Sequence, residues 1–126
     1  MKKTLTILIV LLICHFTFDN DNCSAQWLQS SSGMGTDKFA SSFLVNANIF
    51  LTGTTAGVYR STNSGTSWTP SLTTILDVYC FREISSTIYM GTQTGVFTSI
   101  NNGLSWSPTS LTNRIVRSIW DNGAYI

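Results

Sequence analysis

Histidine is almost absent from this 126-residue chain: His15 is the only one, and it lies in a stretch that reads as a cleavable leader. Beyond that stretch there is no His-based general acid or base, no Ser-His-Asp triad and no His-containing metal site. Cysteine is equally scarce. Cys14 and Cys23 fall in the leader and leave Cys80 alone, so no intramolecular disulfide braces the remainder. Charge is thin and balanced, with Lys38, Arg60, Arg82, Arg114 and Arg117 set against Asp37, Asp77, Glu83 and Asp121. No basic cluster is present, so electrostatic binding to nucleic acid is not expected. Helical apolar periodicity is also missing after the leader.

What is present begins with the leader itself. Met1-Lys2-Lys3 is a positive n-region, Thr4 to Ile13 a nearly unbroken apolar run, and FTFDNDNCSA a polar tail ending in a small residue. That order is the one a signal peptidase reads, and it places cleavage after Ala25, with Cys23 and Ala25 at the two small-residue positions. Residues 1–25 are therefore a bacterial-type signal peptide, and the protein is expected to be secreted, periplasmic or at the cell surface. The apolar run is shorter than the about 20 residues of a spanning helix. No stable membrane span is expected after cleavage; a retained N-terminal anchor is the alternative. Neither Leu11-Leu12-Ile13-Cys14 nor Asn20-Asp21-Asn22-Cys23 carries the small residues that precede a lipoprotein cysteine.

An internal repeat sets the architecture. Sliding the chain by 38 positions aligns IFLTGTTAGVYRSTNSGTSWTP, Ile49 to Pro70, with TIYMGTQTGVFTSINNGLSWSP, Thr87 to Pro108, without a gap. Gly53/Gly91, Thr54/Thr92, Gly57/Gly95, Val58/Val96, Ser61/Ser99, Asn63/Asn101, Gly65/Gly103, Ser67/Ser105, Trp68/Trp106 and Pro70/Pro108 are identical pairs. Phe43, Phe81 and Ile119 share the register, so a third repeat has begun by Val116. Each unit reads as four short strands divided by turn residues. In the first they are Ala40 to Val45, Ile49 to Thr52, Val58 to Ser61 and Trp68 to Pro70. In the second they are Asp77 to Ile84, Ile88 to Gly91, Val96 to Ser99 and Trp106 to Pro108. Four antiparallel strands in about forty residues is the pattern of a propeller blade, with a solenoid of β-arches as the alternative. The expected fold is all-β: a β-propeller of four-stranded antiparallel blades, about two complete blades plus the start of a third. Blades fall at about 39–74 and 75–112, with a partial one at 113–126.

The units close on Ser61-Thr62-Asn63-Ser64-Gly65-Thr66-Ser67-Trp68 and Ser99-Ile100-Asn101-Asn102-Gly103-Leu104-Ser105-Trp106. Both resemble the Asp box, Ser-x-Asp-x-Gly-x-x-Trp, of sialidases, sortilin-like receptors, xyloglucan-cleaving glucanases and photosystem II assembly-factor-like proteins. The resemblance covers almost the whole chain after the leader, and it implies blade architecture while saying little about activity. It implies structural roles for Ser61, Asn63, Gly65, Trp68, Ser99, Asn101, Gly103 and Trp106. Physically, Asn can bond backbone N–H groups two positions on, and Gly65 and Gly103 supply a positive φ. Ser61 and Ser99 add a second bond to the turn, and Trp68 and Trp106 act as apolar plugs whose N–H needs a partner. Asn in place of Asp removes a carboxylate, which weakens any metal or acid role.

No catalytic residue, metal site or cofactor is expected. The arginines do not reproduce a sialidase site, since Phe81-Arg82-Glu83-Ile84 lies between the boxes and lacks that family's proline. Asp77 and Asp121 are not equivalent in the repeat register and read as solvated strand-end carboxylates rather than a glycosidase pair. Cys80, whose register mates are Ser42 and Ser118, reads as a buried small residue. Two blades cannot bury their faces alone, so the chain reads as the N-terminal part of a longer propeller, with closure by self-association as the other option. Residues 26–38 include Gln26-Trp27-Leu28-Gln29, which resembles the fourth strand of a blade and reads as a ring-closing strand. The expected function is that of an exported, non-catalytic module binding a protein or glycan partner through turns such as Thr54 to Gly57 and Gln93 to Gly95. The alternative is the N-terminal part of an Asp-box glycoside hydrolase with its acids in further blades.

Overall fold

The computed structural model describes residues 4–9, 12–19, 22–35, 39–74 and 77–123. Met1 to Lys3, Asp37, Lys38 and Ala124 to Ile126 therefore lie outside the described residues, as does part of the link between the two repeats. Among the described residues the chain is all-β. Its eleven strands fall into three antiparallel sheets.

The first sheet is a meander of β1 (Thr4–Ile9), β2 (Leu12–Asp19) and β3 (Asn22–Gln29). It occupies the region that reads as the leader. The difference has a compositional basis, because Thr4, Thr6, Ile7, Ile9, Ile13, Phe16, Thr17 and Phe18 suit a strand as well as an apolar leader. Gln26 to Gln29 form the end of β3 and pair there with Leu12 to His15 of β2. Cleavage after Ala25 would leave only that end of β3.

The second sheet is β4 (Ala40–Asn46), β5 (Ile49–Thr54), β6 (Gly57–Ser61) and β7 (Thr69–Leu72), paired in that order. The third repeats it with β8 (Val78–Ile84), β9 (Thr87–Thr92), β10 (Gly95–Ser99) and β11 (Ser107–Thr112). Strand ends differ slightly from the sequence reading, and Trp68 and Trp106 precede the fourth strands instead of opening them. Both sheets carry a bulge at the same place, between Ala40 and Ser42 and between Val78 and Cys80. Pro70 and Pro108 sit on the edge strands β7 and β11, where the missing N–H is harmless and blunts the edge. The sheets are open, and no strand of one pairs with a strand of the other.

Alternation along each strand divides the apolar residues between two faces. Leu51 and Val58 of the second sheet meet Val78, Ile88 and Met90 of the third in one buried core, flanked by Leu44, Ile49, Phe81, Phe97 and Trp106. On its other face the second sheet buries Tyr59 and Trp68 with Met34, beside Phe43 and Phe50. Phe43 meets both Phe50 and Trp68 edge-on, at centroid distances of 5.7 and 6.3 Å. The cover on this side comes from the Ser31-to-Met34 turn, closed by the Met34 N–H on the Ser31 carbonyl at 3.0 Å. Gly33, at φ 89°, lies so close to the Trp68 carbonyl that a Cβ would stand 2.0 Å from its oxygen.

The third repeat has no strand among the described residues. Its opening residues nonetheless lie on the third sheet as Val78 lies on the second. A Cβ on Gly53 would fall 2.4 Å from Val78 Cγ1, and one on Gly91 would fall 3.0 Å from Val116 Cγ1 and 2.6 Å from its carbonyl. Val78 and Val116 are register mates, as are Gly53 and Gly91. Each unit thus seats the valine of the next in a notch made by a missing side chain.

Candidate functional site

The eight motif residues form two turns at the same end of their sheets, joining β6 to β7 and β10 to β11. In the first, the Ser61 hydroxyl donates to Asn63 Oδ1 at 2.9 Å and accepts from the Gly65 N–H at 2.9 Å. Asn63 Oδ1 also accepts the Ser67 N–H at 2.9 Å, and its Nδ2 donates to Ser67 Oγ at 2.8 Å. The Thr66 N–H closes on the Asn63 carbonyl at 3.1 Å. Ser64 and Gly65 take positive φ, 56° and 82°. The second turn repeats every bond: Ser99 to Asn101 Oδ1 at 2.9 Å, Gly103 N–H to Ser99 at 2.9 Å, Ser105 N–H to Asn101 Oδ1 at 2.9 Å and Asn101 Nδ2 to Ser105 Oγ at 2.8 Å.

Both ends of each asparagine amide are therefore engaged, and the donor end depends on a serine. A carboxylate could not donate there; the serine hydroxyl would have to turn and donate instead. The motif itself assigns Ser67 and Ser105 no role. Their identity across the repeat was the available signal.

The tryptophans tie each turn to the preceding segment. Trp106 Nε1 donates to Ser71 Oγ at 2.9 Å, and Ser71 Oγ lies against the Gly103 carbonyl. Trp68 Nε1 donates to the Ser30 carbonyl at 3.0 Å, while Ser30 Oγ lies against the Gly65 carbonyl. The Trp68 N–H also reaches the Ser32 carbonyl at 2.8 Å. Ser30 thus stands to the first turn as Ser71 of β7 stands to the second. Trp68 is 2% exposed, whereas Trp106 is half-buried.

Further contacts join the sheets at the turn end. Asn46 Nδ2 donates to Glu83 Oε1 at 2.9 Å, and Arg60 Nε donates to the Asn102 carbonyl at 3.0 Å. Leu51 packs beneath the second turn, its Cδ2 2.6 Å from where a Cβ on Gly103 would lie.

The opposite end carries the turns named as partner-binding loops. They are tighter than loops: Thr54 Oγ1 donates to the Gly57 carbonyl at 3.0 Å and accepts the Ala56 N–H at 3.0 Å. Thr92 does the same with Gly95 and Thr94, at 2.9 and 3.2 Å. Both threonines are buried, which the sequence reading did not foresee although they are identical across the repeat. Thr55, Gln93 and Thr94 remain exposed.

Three of the arginines engage separate partners. Arg60 is on Asn102, Arg117 stacks 4.8 Å above the Tyr79 ring, and Arg82 pairs with Asp121 at 2.8 Å. Asp121 is consequently no free strand-end carboxylate; its side chain is 19% exposed and ion-paired. Asp77 accepts from the Tyr79 hydroxyl at 3.4 Å. Among the described residues, no three His, Cys, Asp or Glu side chains are grouped to hold a metal. Among the described residues no helix is long and apolar enough to cross a membrane.

Cys80 is half-buried, not buried, and its Sγ lies beside Gly91 at the notch that also receives Val116. Burial pushes its thiol above the ordinary value of 9.0, while backbone contacts with Gly91 and Ile119 act in the opposite sense.

No protein-family model matches the chain, and no curated protein matches it. A solved structure similar in fold is that of the computationally designed Ika8 protein, at 9% identity and a TM-score of 0.57. The likeness covers 93% of this chain and 39% of that one, so this chain spans about two fifths of its length. At such identity the likeness concerns the fold alone.

Proposed function

We propose that this chain is part of an Asp-box-type β-propeller, exported and used as a non-catalytic binding or scaffolding module. The observation that carries the reading is the exact recurrence, 38 positions apart, of the turn bonds, the bulge and the valine-in-glycine notch. The notch lets each unit approach the next closely, and the turn bonds use up the polar groups of the motif. What stays available at the opposite end is Thr55, Gln93 and Thr94, held on rigid two-residue turns. A rigid scaffold with short variable turns suits recognition. The Ser30 contacts with the first turn support the reading of Gln26 to Gln29, within the segment 26–38, as a ring-closing fourth strand.

The test is a panel of immobilised glycans and aryl glycosides, with the T55A/Q93A/T94A variant as control. The expected result is retention on some panel members, no turnover, and loss of retention in the variant with its melting curve unchanged. Turnover of any aryl glycoside sinks the non-catalytic reading. Export is tested separately by N-terminal sequencing of the protein released into the periplasm or medium, which should begin at Gln26.

A further inference from the structure

We propose that residues 114–121 are a strand-accepting edge, and that its partner is a β-hairpin carrying this repeat's own second- and third-strand pattern. The proposal rests on the propeller reading above and names what that reading leaves uncovered. The segment is already docked: the Val116 N–H donates to the Thr92 carbonyl at 2.9 Å, Val116 fills the Gly91 notch, and Asp121 pairs with Arg82. It holds the place that β8 holds on the preceding sheet. Yet β8 is paired along its length with β9, and no strand pairs with 114–121 among the described residues. Ile115 and Trp120 are left 57% and 71% exposed.

The register specifies the occupant. Ser42 faces Gly53 and Cys80 faces Gly91, so the incoming strand should place a glycine opposite Ser118. Ala40 faces Thr54 and Val78 faces Thr92, so a threonine should follow opposite Val116. Glycine is required for space: at Gly53 and Gly91 a Cβ would come within 2.2 Å of Ser42 Oγ and 2.6 Å of Cys80 Sγ. Strand addition of this kind draws affinity from main-chain bonds and specificity from alternate side chains.

The experiment uses the full chain with a synthetic peptide, TIYMGTQTGVFTS, the sequence of residues 87–99. Hydrogen exchange is followed by NMR. The expected result is saturable protection, at least tenfold, at amides within 115–121, with a change in Trp120 fluorescence. The same peptide with valine replacing its first glycine should fail to bind, as should the Val116→Asp chain, whose β5 and β6 amides should keep their protection. Absence of protection at 115–121 while β8 to β10 exchange slowly overturns the edge proposal alone. Rapid exchange throughout β8 to β10 overturns the repeat-sheet reading with it. Protection that arises without peptide and grows with chain concentration assigns the edge to a second copy and overturns the hairpin as partner.

Discussion

Asn63 and Asn101 each use the amide oxygen and the amide nitrogen within one turn, so their replacement by Asp and by Ala should differ. Asn63→Ala removes the acceptor for Ser67 N–H and Ser61 Oγ and should cost about 1 kcal/mol in urea unfolding. Asn63→Asp keeps that acceptor and lets Ser67 donate, so its cost should stay within about 0.5 kcal/mol. Equal losses would contradict the turn chemistry. Gly103, at φ 72°, has Leu51 against its missing Cβ, whereas Gly123, at φ 83°, has open space there. Both alanine variants suffer the positive-φ strain of about 1 kcal/mol. Only Gly103→Ala should lose roughly another 1 kcal/mol through Leu51, and that extra part should shrink when Leu51 is also alanine. At Cys80 the sign of the pH effect follows from the raised pKa. The unfolded thiol ionises first, so the contribution is full below its ordinary value and is lost as pH rises through the higher folded value. Unfolding midpoints between about pH 8 and 10 should therefore fall more steeply for the parent chain than for Cys80→Ser.

At the scale of elements, most of what the sequence showed came from one period. The strand positions, the turns and the equivalence of the two sheets all follow from sliding by 38 residues. The contacts between a unit and its predecessor were less legible. Ser30 and Ser71 are equivalent through the alignment of Trp27 with Trp68, which is a different offset from the repeat, so the main register does not pair them. Nor did residue type announce that Ser67 and Ser105 would serve the asparagines. The two tryptophan ties also differ in a way only geometry shows. Trp106 donates to a side chain, Ser71 Oγ, and Trp68 to a backbone carbonyl, that of Ser30. Ser71→Ala should then cost about 1–2 kcal/mol, since both the Trp106 N–H and the Gly103 carbonyl lose a partner. Ser30→Ala should cost less, because Trp68 keeps its bond. Denaturation curves of the two variants decide the order.

For the whole molecule, the faces of the sheets are covered unequally. The core between the second and third sheets is made by two complete units, while Phe43, Phe50, Tyr59 and Trp68 rely on a short turn containing Met34. The third sheet relies on the start of another repeat, and the more polar Arg82 and Cys80 lie on that side. Composition could not reveal this asymmetry, because equivalent positions carry Leu44, Arg82 and Trp120. The valine notch is the part of the design that does not vary. Val78 and Val116 are cut to one gauge, and so are Gly53 and Gly91. Removing residues 77–114, one full period, should bring Val116 onto Gly53 and preserve exchange protection in β5 and β6. The same deletion carrying Val116→Asp should lose it. A gene encoding such parts can gain or shed whole periods by unequal recombination, and each product meets its new neighbour with a joint that already fits.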